Sequence, residues 1–313
     1  MGSDRILDLK SQFDKLGFIH VPGVLSDDEV LQCRTLLNDS FAQKGGRALS
    51  LREILELPGG IPQLPFKDKA VKALQQVLGE NYIVIPDFHV HRNIFPPRGK
   101  GWHEDSGSEG SVDYLKDDSY LFAKCGIYLQ DNTYEWGGGI KIVPGGHKFP
   151  IKTPFSKFDF KLKSLINRKL GGRFKSFFVP IKAGDMVAFD CRLPHSGTSP
   201  ESLIDPVWAK GNMILNIPAD KTKLVFYWNA AATLEGANNY MLRSEERAME
   251  DEISKLDTEF FFSDFIRFSY PKDYPDDLVS VVKNNKLTIA ALPEPRTEYW
   301  RKVWEEKKMD NPD

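Results

Sequence analysis

The sequence predicts a mainly β protein, a sandwich or barrel with flanking helices. Three observations carry that reading. From Tyr82 onward, apolar and β-prone residues come in short runs. Gly and Pro clusters separate those runs. No G-x-G-x-x-G or G-K-[ST] phosphate loop occurs, which removes support for a nucleotide-binding α/β fold.

Residues 1–80 read as mostly helical. Phe18 to Leu25 is a strand and turn. Ser26 follows as an N-cap, with Glu29 three residues on completing a capping box. Val30, Cys33, Leu36 and Leu37 keep helical spacing until Gly45-Gly46. A second amphipathic helix is expected from Phe66 to Leu78, with Val71, Leu74 and Val77 facing the core.

Residues 81–230 carry the β core. Strands are expected at Tyr82–Ile85, Phe88–His91, Leu121–Leu129, within Gly138–Gly146 between turn signals, and at Phe177–Val179, Met186–Phe189, Met213–Ile217 and Leu224–Trp228. Phe155 to Phe174, rich in Lys, Phe and Leu, interrupts the series and reads as a helical, lid-like insertion over one mouth of the barrel. Residues 231–313 read as a helical and aromatic extension. A helix is expected from Tyr240 to Leu256; Phe260, Phe261, Phe262, Phe265, Phe268, Trp300 and Trp304 are expected to pack on the barrel. No repeat or linker divides the chain, so all 313 residues are expected to form one domain.

Composition narrows the function. A net charge of -2 gives no general drive toward nucleic acid or anionic membrane. No stretch is long and apolar enough to span a bilayer, and the first residues lack the apolar core of a signal peptide. Cys33, Cys125 and Cys191 are odd in number and far apart, which argues for a reducing compartment, here the cytoplasm. The oligomeric state leaves no trace in the sequence.

The chemistry concentrates in Trp102-His103-Glu104-Asp105 and in His195. On extended backbone, residues two apart share a face, so His103 and Asp105 can reach one metal ion. His195 stands just after the strand at Met186–Phe189. Two imidazoles and one carboxylate on one side of a metal leave its other positions open, the arrangement that suits non-heme Fe(II). His89 and His91 also share a strand face and compete for the role; they read as barrel-lining.

The flanking sequence is more specific. Gly101 to Asp105 comes first; then Asp131-Asn132-Thr133, Gly137-Gly138-Gly139 and Pro144-Gly145-Gly146-His147-Lys148; then Gly184-Asp185 and Leu193-Pro194-His195-Ser196-Gly197. In that order they resemble the phytanoyl-CoA dioxygenase family, with Gly146 where a serine is usual. The resemblance runs from about Phe18 to Trp228. It implies a double-stranded β-helix (jelly-roll, cupin-like) core and three metal ligands, His103, Asp105 and His195. His147 falls on a turn histidine of the motif. The implied cofactors are Fe(II), 2-oxoglutarate and O₂. The implied reaction hydroxylates a C–H bond of a small molecule while 2-oxoglutarate becomes succinate and CO₂. In related iron halogenases a small residue replaces the carboxylate; Asp105 fills that place and favours hydroxylation.

One feature departs from the family. An arginine usually opens the strand after the distal histidine and grips the far carboxylate of 2-oxoglutarate, yet Pro200 to Asp220 contains none. Lys221 takes that position by alignment, and Lys223 shares its strand face. Thr222, Ser196 and Tyr128 are candidate hydroxyl partners, and Arg92 and Lys124 further cations. Arg92, Arg98, Lys100 and Lys124, with Trp102 and Trp136, are expected near the mouth and fit a polar or anionic substrate. Two other readings stay open: a non-redox metal-dependent isomerase or hydrolase, and a non-catalytic ligand-binding sandwich.

Overall fold

The computed structural model describes residues 8–95, 102–105, 121–148, 176–200, 217–242 and 269–291, with a few positions nearer the C-terminus. The lid-like insertion at Phe155–Phe174, the cluster Phe260 to Phe268, Trp300, Trp304, Arg98 and Lys100 lie outside them. So do most of the strand expected at Met213–Ile217 and the far part of the helix expected from Tyr240.

The chain begins with α1 (Leu9–Leu16), β1 (Phe18–Val21) and α2 (Asp27–Lys44). Ser26 and Glu29 form the expected capping box at the start of α2. Then come β2 (Ala48–Leu49), α3 (Leu51–Leu55), a 3-10 turn at Ile61–Phe66 and α4 (Asp68–Leu78). Pro62 and Pro65 keep the approach to α4 in the tighter 3-10 form, so the α-helix starts two residues later than its apolar spacing indicated. Val71, Leu74 and Val77 do face the core.

The remaining strands are β3 (Ile83–Arg92), β4 (Phe122–Tyr128), β5 (Ile140–Ile142), β6 (Phe177–Phe178), β7 (Met186–Asp190), β8 (His195–Gly197), β9 (Leu224–Ala231) and, after α5 (Asp276–Asn284), β10 (Thr288–Ile289). The two runs read separately around Pro86 form one strand. β3 pairs with β9 on both sides of an irregularity between Ile85 and His89, where Pro86 has no N–H for the ladder. The tail supplies an element that no pattern flagged: β10 lies parallel to the start of β3.

The strands form two sheets. The larger runs β1-β7-β4-β9-β3-β10, with β2 also on β3; the smaller runs β6-β5-β8. Alternation along β9 shows how they stack. Leu224, Phe226, Trp228 and Ala230 enter the core beneath the helices, with Leu37, Phe41 and Leu74. Val225 and Tyr227 point the other way, toward Ile140 and Ile142 of the smaller sheet. The expected jelly-roll core is therefore present, with two facing sheets that do not close. Among the described residues, no helix is long and apolar enough to cross a membrane.

Candidate metal centre

His103, Asp105 and His195 meet beside β8 of the smaller sheet, with Asp105 toward Lys124 of β4 in the larger. One ligand atom from each lies within 4.8 Å of the others. His103 Nε2 is 3.4 Å from Asp105 Oδ1, and His195 Nε2 is 3.7 Å from Asp105 Oδ2. Bonds of about 2.1 Å at right angles would set neighbouring donors about 3 Å apart, so small side-chain adjustments suffice for a shared ion.

The backbone that delivers them is not the strand expected at 103–105. His103 forms an isolated antiparallel bridge with His195, and Asp105 sits in a turn. His195 does not trail a strand; it opens its own short one, β8. Its Nδ1 lies 2.9 Å from the Leu193 carbonyl oxygen. A proton on Nδ1 donates there and leaves Nε2, the nitrogen nearer Asp105, to bind a metal. Burial, the largest effect, lowers the His195 pKa to about 4, so the imidazole is neutral near pH 7.

Burial also opposes charge on Asp105, but the Lys124 ammonium, then His195 and His103, outweigh it and hold the carboxyl well below its usual range. Asp105 Oδ2 is buried and, apart from its ion pair with Lys124 Nζ at 3.2 Å, has no hydrogen-bond partner among the described residues. An ionised carboxylate with one oxygen toward each of two imidazoles is a donor set that fits a divalent cation.

The sequence block around the glycines anchors β8. Asn132 Nδ2 donates to the Val179 carbonyl at 2.8 Å, and Thr198 Oγ1 donates to Asn132 Oδ1 at 2.9 Å. Thr198 Oγ1 in turn accepts from Gly139 N at 2.8 Å. A Cβ at Gly139 would sit 2.0 Å from Asn132 Cγ, so that position requires glycine. Gly146 stands where the motif usually has serine, and a Cβ there would meet Pro194 Cδ at 2.7 Å. Pro194 directly precedes His195, so the missing side chain and the ligand position are linked. His147 lies in a 3-10 turn with Nε2 3.2 Å from the Asp14 carbonyl oxygen, outside the triad.

A cavity of about 270 Å³ is lined by His103 and His195 and also by His89, His91, Lys124, Tyr128, Lys223 and Tyr227. His89 and His91 line it as expected and pack around Tyr227, with ring centroids 5.2 Å from it in each case.

The structure separates the cationic candidates. Lys221 does not line the cavity: it lies in an exposed turn and pairs with Asp220 at 3.0 Å. Its strand begins only at Leu224, so the face it was expected to share with Lys223 does not extend to it. Thr222 is on the same turn, its hydroxyl against the Pro218 carbonyl. Ser196 Oγ donates to the Gly197 carbonyl at 3.1 Å and is not part of the cavity wall. Arg92 leaves the cavity to stack on Phe41 and to donate to the Gly46 carbonyl. Trp136 also lies off the wall.

Lys223 is 5% exposed and lines the cavity. Its Nζ donates to the Ile94 carbonyl at 2.8 Å, and among the described residues it has no carboxylate partner. Burial pushes its pKa down to about 8. Asn93, at φ 51°, fixes its backbone, because Asn93 N donates to the Lys223 carbonyl and Lys223 N donates to Asn93 Oδ1. Arg34 of α2 was not anticipated. It donates to the carbonyls of Leu129, Thr222 and Ala219 and thereby secures the turn that leads into Lys223.

Residues 58–202, which include all three donors, match the phytanoyl-CoA dioxygenase (PhyH) family. This stretch is a PhyH-family domain. A curated relative, ectoine dioxygenase of Streptomyces avermitilis, is 28% identical over 160 residues. That match covers 45% of this chain and 51% of the relative, so the chain spans about half the length of the protein it matches. Two solved structures share this fold. The α-ketoglutarate-dependent carbocyclase SnoK from nogalamycin biosynthesis superposes with a TM-score of 0.50 at 15% identity, over 73% of this chain and 84% of SnoK. EctD from S. alaskensis with bound Fe superposes with a TM-score of 0.50 at 14% identity, over 75% and 80%.

Proposed function

We propose that this chain is an Fe(II)/2-oxoglutarate-dependent dioxygenase that hydroxylates a C–H bond of a small polar or anionic molecule in the cytoplasm. His103, Asp105 and His195 are the metal ligands. The observation that carries the reading is a cavity wall that holds the imidazoles of His103 and His195, with the ionised Asp105 carboxylate beside them, and the ammonium of Lys223. The PhyH match over the ligand-bearing stretch supports the class.

The bound iron would couple oxidative decarboxylation of 2-oxoglutarate by O₂ to substrate oxidation, giving succinate, CO₂ and an alcohol. The protein supplies orientation and charge. The Leu193 carbonyl fixes the tautomer of His195. Lys223 anchors the distal carboxylate of 2-oxoglutarate as a point charge in place of the usual arginine fork. Ile140 and Phe189 keep part of the cavity apolar, which strengthens that pairing by excluding water. His89, His91 and Tyr227 offer polar contacts to a substrate entering from the far wall.

Anaerobic addition of Fe(II) and 2-oxoglutarate should give a weak visible charge-transfer band that His103→Ala abolishes. Candidate metabolites should then be screened for stimulated succinate release. A wild-type protein with neither the band nor 2-oxoglutarate turnover would overturn the proposal.

A further inference from the structure

Lys124 projects from the middle of β4 into the same space as the triad, where a cation is costly unless paired. Its Nζ lies 3.2 Å from Asp105 Oδ2, the same oxygen that faces His195. A divalent ion bound by Asp105 and His195 would sit beside that oxygen. The ammonium and the ion would then repel each other across a partly buried gap. Lys124 therefore holds its charge against the carboxylate oxygen that such an ion would also approach.

A second berth lies opposite. Lys124 and Asn229 are direct cross-strand partners on β4 and β9, close enough for their side chains to meet. Asn229 Nδ2 donates to Asp87 Oδ2 at 2.6 Å and contacts the Tyr240 hydroxyl at 3.1 Å. A carboxylate only accepts, so the amide is fixed with Nδ2 toward Asp87 and Oδ1 away from it. Asn229 Oδ1 is buried with no hydrogen-bond partner among the described residues. Asp87 itself is 8% exposed, and its charge acts on the Lys124 ammonium after that of Asp105. An orphan acceptor beside a buried carboxylate is a site that an ammonium would fill.

We propose that Lys124 is a two-position charge that controls metal entry: it neutralises Asp105 in the metal-free protein and withdraws toward Asn229 Oδ1 and Asp87 when a divalent ion binds. This rests on His103, Asp105 and His195 being the metal site. Its consequence runs against the usual view of a residue near a metal, since removing Lys124 strengthens binding. The buried carboxylate left behind weakens only the metal-free form.

Isothermal titration of the full chain with Co(II), a redox-stable stand-in for Fe(II), tests this. Lys124→Met should bind Co(II) at least about tenfold more tightly than wild type, on the scale of one unscreened charge contact removed. Lys124→Arg should stay within a few-fold of wild type. The melting temperature supplies a second readout. Lys124→Met should lower it without metal, and Co(II) should raise it by more than in wild type. A purely structural lysine would lower both forms alike. Unchanged or weaker binding by Lys124→Met, with normal wild-type uptake, overturns this proposal alone. If Lys124→Met fails to fold, Lys124→Gln answers the same question. A wild-type chain that takes up no Co(II) overturns both this proposal and the metal-site reading beneath it.

Discussion

His103 and His195 hold each other twice. Each backbone N–H donates to the other's carbonyl at 3.0 Å, and their rings stand 4.2 Å apart between centroids. Two imidazoles distant in sequence are thus set side by side by one pair of backbone hydrogen bonds. A bound ion would add a third link across the same bridge. Co(II) should therefore slow amide hydrogen exchange at both 103 and 195. His103→Ala should remove that protection at 195 as well; protection surviving at 195 would show that the ion sits elsewhere.

Lys223 is expected to set the affinity for 2-oxoglutarate. Lys223→Met should raise its KM roughly 10- to 100-fold, the scale of one charge-assisted contact, with a smaller effect on kcat. The free ammonium loses its proton as pH rises through about 8, because burial has lowered its pKa. In wild type, 2-oxoglutarate binding should hold below that point and weaken above it. The corresponding rise in KM should be absent from Lys223→Met, which measurement across pH 7 to 9.5 would test.

Arg34 supports that lysine from a distance. Its three carbonyl acceptors belong to the chain just after β4 and to the turn before β9. Arg34→Ala should cost roughly 1.5–3 kcal/mol, the scale for lost hydrogen bonds to a charged group. It should also raise the KM for 2-oxoglutarate while leaving Co(II) binding near the wild-type value. Urea denaturation and titration measure the two effects separately.

Restoring the usual serine should harm this chain. In Gly146→Ser the new Cβ would press on Pro194 Cδ, costing about 1–3 kcal/mol as overpacking does. Movement of Pro194 carries His195 with it, so weakened Co(II) binding should accompany the lower melting temperature. An unchanged melting temperature would show that the loop yields freely.

The triad was legible because metal chemistry constrains residue type. His103, Asp105 and His195 are recognisable wherever the chain places them, and the glycine-rich block fixed their order. The local geometry was not. An i,i+2 pair reads as a strand, but the extended backbone at His103 is a single bridge whose partner lies far down the sequence. Lys221 and Lys223 looked alike for a similar reason, since only the true start of β9 decides which enters the cavity. Arg34 carried no signal, because its acceptors are backbone carbonyls that any sequence supplies. The two-residue strand β10 is likewise too short to leave a period.

That short strand, together with β2, has a consequence for how the molecule is made and handled. β3 pairs with β9 along one side; β2 covers Val90 and His91 on the other, and β10 covers Ile83 and Val84. A ribbon this apolar is a template for a neighbouring chain when left bare. One of its two guards, β10, is synthesised only after every other described strand. Truncation before Thr288 should yield a protein that aggregates while the proposed metal ligands are all present.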